Sequence, residues 1–141
     1  MQKIKTALLS YGMSGKVFHA PFLNFHSGFE LLGSWERTKK LIHQDFPAVK
    51  SYATMEELLE DDVDLIIVNT PVETHYEYAK QVLLAGKHAI VEKAFTTTVA
   101  QAQELAALAK EKGLKLAVFQ NRRWDSDFKT VQKIISKSFC F

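Results

Sequence analysis

A chain of 141 residues, 47% hydrophobic and 24% charged, has enough apolar material for one domain with a real core. Its net charge of +2 is too small to imply a nucleic-acid or membrane partner, and its single cysteine, Cys140, excludes an intramolecular disulfide and a thiolate metal cluster. The N-terminal apolar run is broken by Ser10 and Gly12 and is too short for a signal peptide, nothing approaches transmembrane length, and the expected location is cytoplasmic.

Taken in order, strand-like runs alternate with helical patterns from end to end, which predicts an α/β domain with a parallel sheet. The first strand is expected at residues 4–9. It ends in Ser10-Tyr11-Gly12-Met13-Ser14-Gly15, and a helix is expected from about Lys16, disturbed by Pro21. This is the form of a first βα turn that holds a dinucleotide pyrophosphate, with Ser10, Gly12 and Gly15 at the three glycine positions of G-x-G-x-x-G. Gly12 would let backbone approach the phosphates, Gly15 would let the helix pack close to the strand, and the free N–H groups of the helix start would favour an anion. Ser10 departs from the pattern and requires ordinary φ/ψ there. A plain turn before a surface helix is the alternative for these residues taken alone.

Strand two, residues 29–35, ends in Glu36-Arg37, at the distance where a dinucleotide site sets an acid against the adenosine ribose. Glu36 would accept ribose hydroxyls and favour NAD, whereas Arg37 could stack on adenine or pair a 2′-phosphate; the balance is slightly toward NAD. A short helix at 39–45, a strand at 49–52 and a helix opened by a Thr54/Glu57 capping box follow. Leu65-Ile66-Ile67-Val68 is apolar on both faces, as a central parallel strand is. Asn69-Thr70-Pro71 stops it. A Thr74/Glu77 box opens a helix to about Ala85, closed by Gly86. Strand five is expected at 88–91, then Glu92-Lys93, a Thr98/Gln101 box and a helix to Lys112 closed by Gly113, a strand at 114–119, and a last helix at 126–136. His75 reads locally as a surface histidine in a first helical turn. His19 and His26 have no partner at ligand spacing, so no metal site is expected.

The ordered set Tyr11-Gly12-Met13-Ser14-Gly15, Thr70-Pro71 with His75, Gly86-Lys87-His88, Glu92-Lys93 and Asn121-Arg122-Arg123-Trp124 resembles the N-terminal domain of the glucose–fructose oxidoreductase, inositol dehydrogenase and rhizopine catabolism (Gfo/Idh/MocA) family. Val17-Phe18-His19-Ala20-Pro21-Phe22 and Asn121-Arg122-Arg123-Trp124-Asp125 point to its scyllo-inositol dehydrogenase branch. The resemblance implies a doubly wound Rossmann sheet of order 3-2-1-4-5-6 with helices on both faces. It implies NAD or NADP as cofactor, hydride transfer with a sugar or polyol, and homo-oligomers. Lys93 would handle the proton of the reacting carbon. Ser10, Gly12, Met13, Ser14, Gly15, Glu36, Arg37, Asn69, Thr70, Pro71, His75 and Glu92 would serve the cofactor, and Arg122 and Trp124 would border its cleft or the domain junction. Ala94 stands where the family has proline. The resemblance also implies a second, substrate domain, so residues 1–136 are expected to form the cofactor domain and 137–141 the start of the second. A dinucleotide-binding module without chemistry is the alternative; a methyltransferase is disfavoured by Glu92-Lys93 and Thr70-Pro71. Trp124, Phe128, Phe139 and Phe141 are expected to form apolar surface that drives self-association.

Overall fold

The computed structural model describes residues 2–36 and 38–138. Six strands, β1 (Ile4–Leu8), β2 (Phe29–Trp35), β3 (Lys50–Tyr52), β4 (Leu65–Val68), β5 (His88–Val91) and β6 (Leu116–Val118), form one sheet of order 3-2-1-4-5-6. Every neighbouring pair is parallel. β1 lies between β2 and β4, so strand order reverses at its C-terminal end, where open α/β sheets bind ligands.

Strand pleating divides the core in two. On one face, Leu8, Leu31 and Ile67 pack with Ala20 and Leu23 of α1 (Ala20–Phe25) and Ile42 of α2 (Ile42–Asp45). On the other, Ala7, Ile66, Val68, Ala89 and Val91 meet α3 (Met55–Glu60), α4 (Val72–Leu84) and α5 (Val99–Glu111) through Leu58, Ala79, Val82, Leu83 and Leu105. All four residues of β4 are buried, the outcome its two-sided apolar run requires. The fold is a Rossmann sheet with helices on both faces.

Local chemistry explains the boundaries. Thr54 and Thr98 cap their helices, accepting from the Glu57 and Gln101 N–H groups at 3.2 and 3.3 Å. Gly86 and Gly113 close α4 and α5 with φ of 77° and 66°, the left-handed conformation that glycine adopts without a Cβ penalty. Thr74 is not a cap: α4 begins earlier, at Val72 after Pro71, and the Thr74 hydroxyl donates back to the Pro71 carbonyl at 2.7 Å. The first helix opens as a π turn, Gly15–His19, before α1. Pro21 has no N–H to continue an α ladder, and the Ala20 N–H bonds instead to the Gly15 carbonyl, five residues back.

After β6 come a 3₁₀ turn, Asn121–Trp124, and α6 (Ser126–Ser138). Phe128, Val131, Ile134 and Ile135 of α6 are each about half exposed. Phe139 and Phe141 lie outside the described residues. Among the described residues no helix is long and apolar enough to cross a membrane.

Candidate dinucleotide site

The turn after β1 is built by Ser10 and Asn69. The Ser10 N–H donates to Asn69 Oδ1 at 3.0 Å, the Ser10 hydroxyl to the Asn69 carbonyl at 3.0 Å, and Asn69 Nδ2 to the Ser10 carbonyl at 2.8 Å. These bonds tie the C-terminal ends of β1 and β4 together. Ser10 does this with ordinary backbone, since no described non-glycine residue has a positive φ. A Cβ on Gly15 would stand 2.5 Å from the Ser10 carbonyl oxygen and 3.0 Å from Asn69 Nδ2, so the helix start can lie against the turn only because that residue is glycine. Gly12 is different. A Cβ there would meet only Ser10 Oγ, at 3.9 Å, so the protein leaves the space in front of it open. The Lys16 N–H donates to the Gly12 carbonyl at 2.9 Å, which begins the helical ladder; N–H groups before it have no helical carbonyl behind them.

Two clefts flank this turn. Ser10, Gly12, Glu36, Thr70 and Pro71 border the first, together with Thr38 and Lys39, which the sequence did not single out. Glu36 does not simply point outward: its carboxylate accepts from the Leu41 and Ile42 N–H groups at 2.8 and 3.1 Å, with the Ser51 hydroxyl at 3.4 Å. By taking those amides it sets the start of α2 at Ile42 rather than Lys39. Beside it, the buried Tyr11 donates its hydroxyl to Asp45 at 2.9 Å, and Lys16 sits 2.9 Å from the same carboxylate. Lys16 and Tyr11 hold Asp45 below the usual carboxylate range. Burial, with the Asp45 hydrogen bond, pushes the Tyr11 phenol up. Arg37 lies outside the described residues.

Met13, Ser14, Asn69, Thr70, Glu92, Lys93 and Arg122 border the second cleft, along with Phe119 and Asn121. Lys93 is exposed, and its peptide bond to Ala94 is cis. Two expected site residues are placed elsewhere. His75 is 1% exposed and is no surface histidine: its Nδ1 and Nε2 each lie 2.8 Å from a carbonyl oxygen, of Ala94 and Thr70 respectively. It lines neither cleft but ties together the turns after β4 and β5, because its position on α4 faces the sheet. Trp124 is 68% exposed beside Arg123 and Lys129 and lines neither cleft; the 3₁₀ turn carries it past the strand ends.

The sequence missed His19. It is 4% exposed, packs against the Phe119 ring, and its Nε2 lies 2.9 Å from Glu92 Oε1. Burial holds the imidazole pKa below its ordinary 6.5, although Glu92 pulls the other way. For Glu92, burial raises the pKa, but hydrogen bonds from Ser14 and His19 outweigh it and hold the carboxyl below 4.5. Both shifts have one sign in linkage: over each window the unfolded chain binds the proton that the folded chain refuses. Stability therefore falls as the pH drops below 6.5 through His19, and falls again below 4.5 through Glu92. Thermal melts should decline over both windows, and His19→Gln should lose the first decline; a wild-type melting temperature level across both windows would refute this. Among the described residues no three His, Cys, Asp or Glu side chains gather as a metal would need.

Residues 4–120 match an oxidoreductase family, GFO_IDH_MocA, described by its NAD-binding Rossmann fold. An uncharacterised oxidoreductase of Schizosaccharomyces pombe is 45% identical over 141 residues, 96% of this chain and 38% of its own length. The scyllo-inositol 2-dehydrogenase (NADP(+)) IolW of Bacillus subtilis is 38% identical over 135 residues, 95% of this chain and 38% of its own. The crystal structure of a Bacteroides fragilis protein superposes with a TM-score of 0.89 at 53% identity, covering 98% of this chain and 43% of that one. The chain thus spans about two fifths of the length of these relatives. With the Rossmann topology, the open glycine turn and a family match over most of its length, the chain belongs to the Gfo/Idh/MocA family of NAD(P)-dependent oxidoreductases.

Proposed function

We propose that this domain holds NAD or NADP across the C-terminal strand ends and presents Lys93 to a sugar or polyol such as an inositol. The observation that carries the reading is the Ser10–Asn69 lock. It sets an open glycine turn between one cleft bordered by Glu36 and another bordered by Lys93. The residues fit a dinucleotide: the space before Gly12 is a cradle that any side chain would fill, and helix N–H groups begin there. Ser10 to Gly15 would hold the pyrophosphate, Glu36 or Arg37 the adenosine, and Asn69, Thr70 and Glu92 the nicotinamide side. When bound, the dinucleotide supplies a hydride acceptor. The protein's part is to hold the carbinol carbon beside it and to take the hydroxyl proton at Lys93 Nζ.

Glu36 supports NAD. A carboxylate has about four lone-pair sites, so its bonded donors leave room for a ribose hydroxyl, whereas a 2′-phosphate would meet a negative group. Lys39 on the same cleft, and the NADP(+) relative of Bacillus subtilis, support NADP. The test is to give the protein NAD or NADP with a panel of inositols and aldoses and to follow reduced cofactor. Binding of NAD or NADP is expected, with at most slow formation of reduced cofactor by these 141 residues alone; a protein that binds neither dinucleotide overturns the reading.

The exposure of Lys93 favours a second reading for these 141 residues taken alone, a module that binds cofactor with little turnover. Water at an open site screens the lysine and leaves the substrate unheld. In our assignment residues 1–136 are the cofactor domain, 137–141 open a substrate domain, and the protein works in the cytoplasm. The apolar stripe of α6, with Trp124, supports self-association. Sedimentation giving a monomer at high concentration would count against it.

A further inference from the structure

The π turn has a consequence on the far side of the cleft. The widened turn leaves His19 off helical geometry, at φ −120° and ψ −62°, and buried with its ring against Phe119. Its Nε2 lies 2.9 Å from Glu92 Oε1. A buried ring held neutral bonds a carboxylate by donating, so the proton is on Nε2. The same carboxylate oxygen accepts from the Ser14 hydroxyl at 2.5 Å, and its other oxygen from the Lys93 N–H at 3.2 Å. Ser14 belongs to the glycine turn and Lys93 to the turn after β5. One carboxylate therefore joins the two walls of the second cleft, and one buried imidazole braces it.

Resting on the dinucleotide reading, we infer that His19 is a positioning residue of the cofactor cleft: its Nε2–H fixes Glu92, which sets the Ser14 hydroxyl on one wall and the Lys93 main chain on the other. Among the described residues, Ser14 and His19 face Glu92 from the first helix and the Lys93 N–H from its own turn, while Asn69, Thr70, Asn121 and the cationic Lys93 and Arg122 border the same cleft. Without the imidazole, a partly buried carboxylate keeps its desolvation penalty and loses a donor, so it takes up a proton more readily and its hold on both walls loosens.

The experiment has two arms on the same proteins: wild type, His19→Leu and His19→Gln, whose amide can donate from nearly the place of Nε2. In the first arm no ligand is present, and the Glu92 carboxyl is followed by carbon NMR against pH, assigned by its loss in Glu92→Gln. The midpoint should rise in His19→Leu and stay near wild type in His19→Gln. In the second arm, NAD and NADP are titrated calorimetrically. Binding should weaken about tenfold in His19→Leu, the worth of a hydrogen bond to a charged group, and recover in His19→Gln. If both variants match wild type in both arms, or both weaken equally with the Glu92 midpoint unmoved, the inference is overturned and His19 only fills space. If wild type binds neither dinucleotide, the cofactor reading has failed, and the carbon titration still decides whether His19 governs Glu92. Should His19→Leu not fold, His19→Phe removes the donor while keeping a ring against Phe119; an unmoved Glu92 midpoint there overturns the inference.

Discussion

Gly12→Val should abolish dinucleotide binding while leaving the fold in place. A Cβ at Gly12 meets no protein atom closer than 3.9 Å, and Gly12 has no positive φ, so neither packing nor backbone conformation demands glycine there. What the valine would fill is the space in which the backbone approaches a pyrophosphate. Losing that approach forfeits several charge-assisted hydrogen bonds, each worth about 1.5–3 kcal/mol, so affinity should fall by a factor on the order of 100 or more. Gly15→Val is the control. Its Cβ would stand 2.5 Å from the Ser10 carbonyl oxygen, a backbone atom that cannot swing away, so it should lose stability by the roughly 1–3 kcal/mol or more of an overpacked site. Calorimetry and thermal melts on the two variants read the contrast. Equal dinucleotide affinity for wild type and Gly12→Val would mean that the turn does not hold the cofactor.

Lys93→Met should lower turnover of any polyol substrate by about 100- to 10,000-fold, the usual worth of a positioned acid–base group, with little change in dinucleotide affinity. The proposed cofactor contacts lie on the turns after β1 and β4, at Glu36 and at the Glu92 carboxylate, whereas the Lys93 side chain is exposed at the open second cleft and is assigned none of them. The pair of measurements therefore separates roles: binding belongs to Ser10 through Gly15, proton handling to Lys93. Turnover that survives Lys93→Met would assign the proton to another group and remove the basis for calling this lysine catalytic.

The fold was largely readable because its signals are local. The two-sided apolar run Leu65–Val68 fits a central strand, Thr54 and Thr98 cap helices with neighbours three residues on, and Gly86 and Gly113 end theirs. Thr74 misled because a capping box and a threonine in a first turn look alike in sequence; Pro71, with its fixed φ, decided the helix start. The site was readable in its turn and less so in its surroundings. Glu36 was found by its distance from the glycines, but its capping of α2 depends on how the following loop folds back. The His19–Glu92 contact joins residues 73 apart and has no local pattern. Pro21 is the local signal: a proline so early in a helix predicts a disturbed turn, though not that the disturbance carries a histidine beneath the cleft.

A nicotinamide dinucleotide should bind on the turn after β1, and titration of the 141-residue chain with NAD and with NADP, followed residue by residue through amide NMR shifts, shows whether it does. One molecule should bind per chain, with the largest shifts at Gly12, Met13, Ser14, Gly15 and Thr70 and almost none along α6. No saturable shift with either dinucleotide, or shifts confined to the exposed aromatic face of α1 around Phe22 and Phe25, would contradict it.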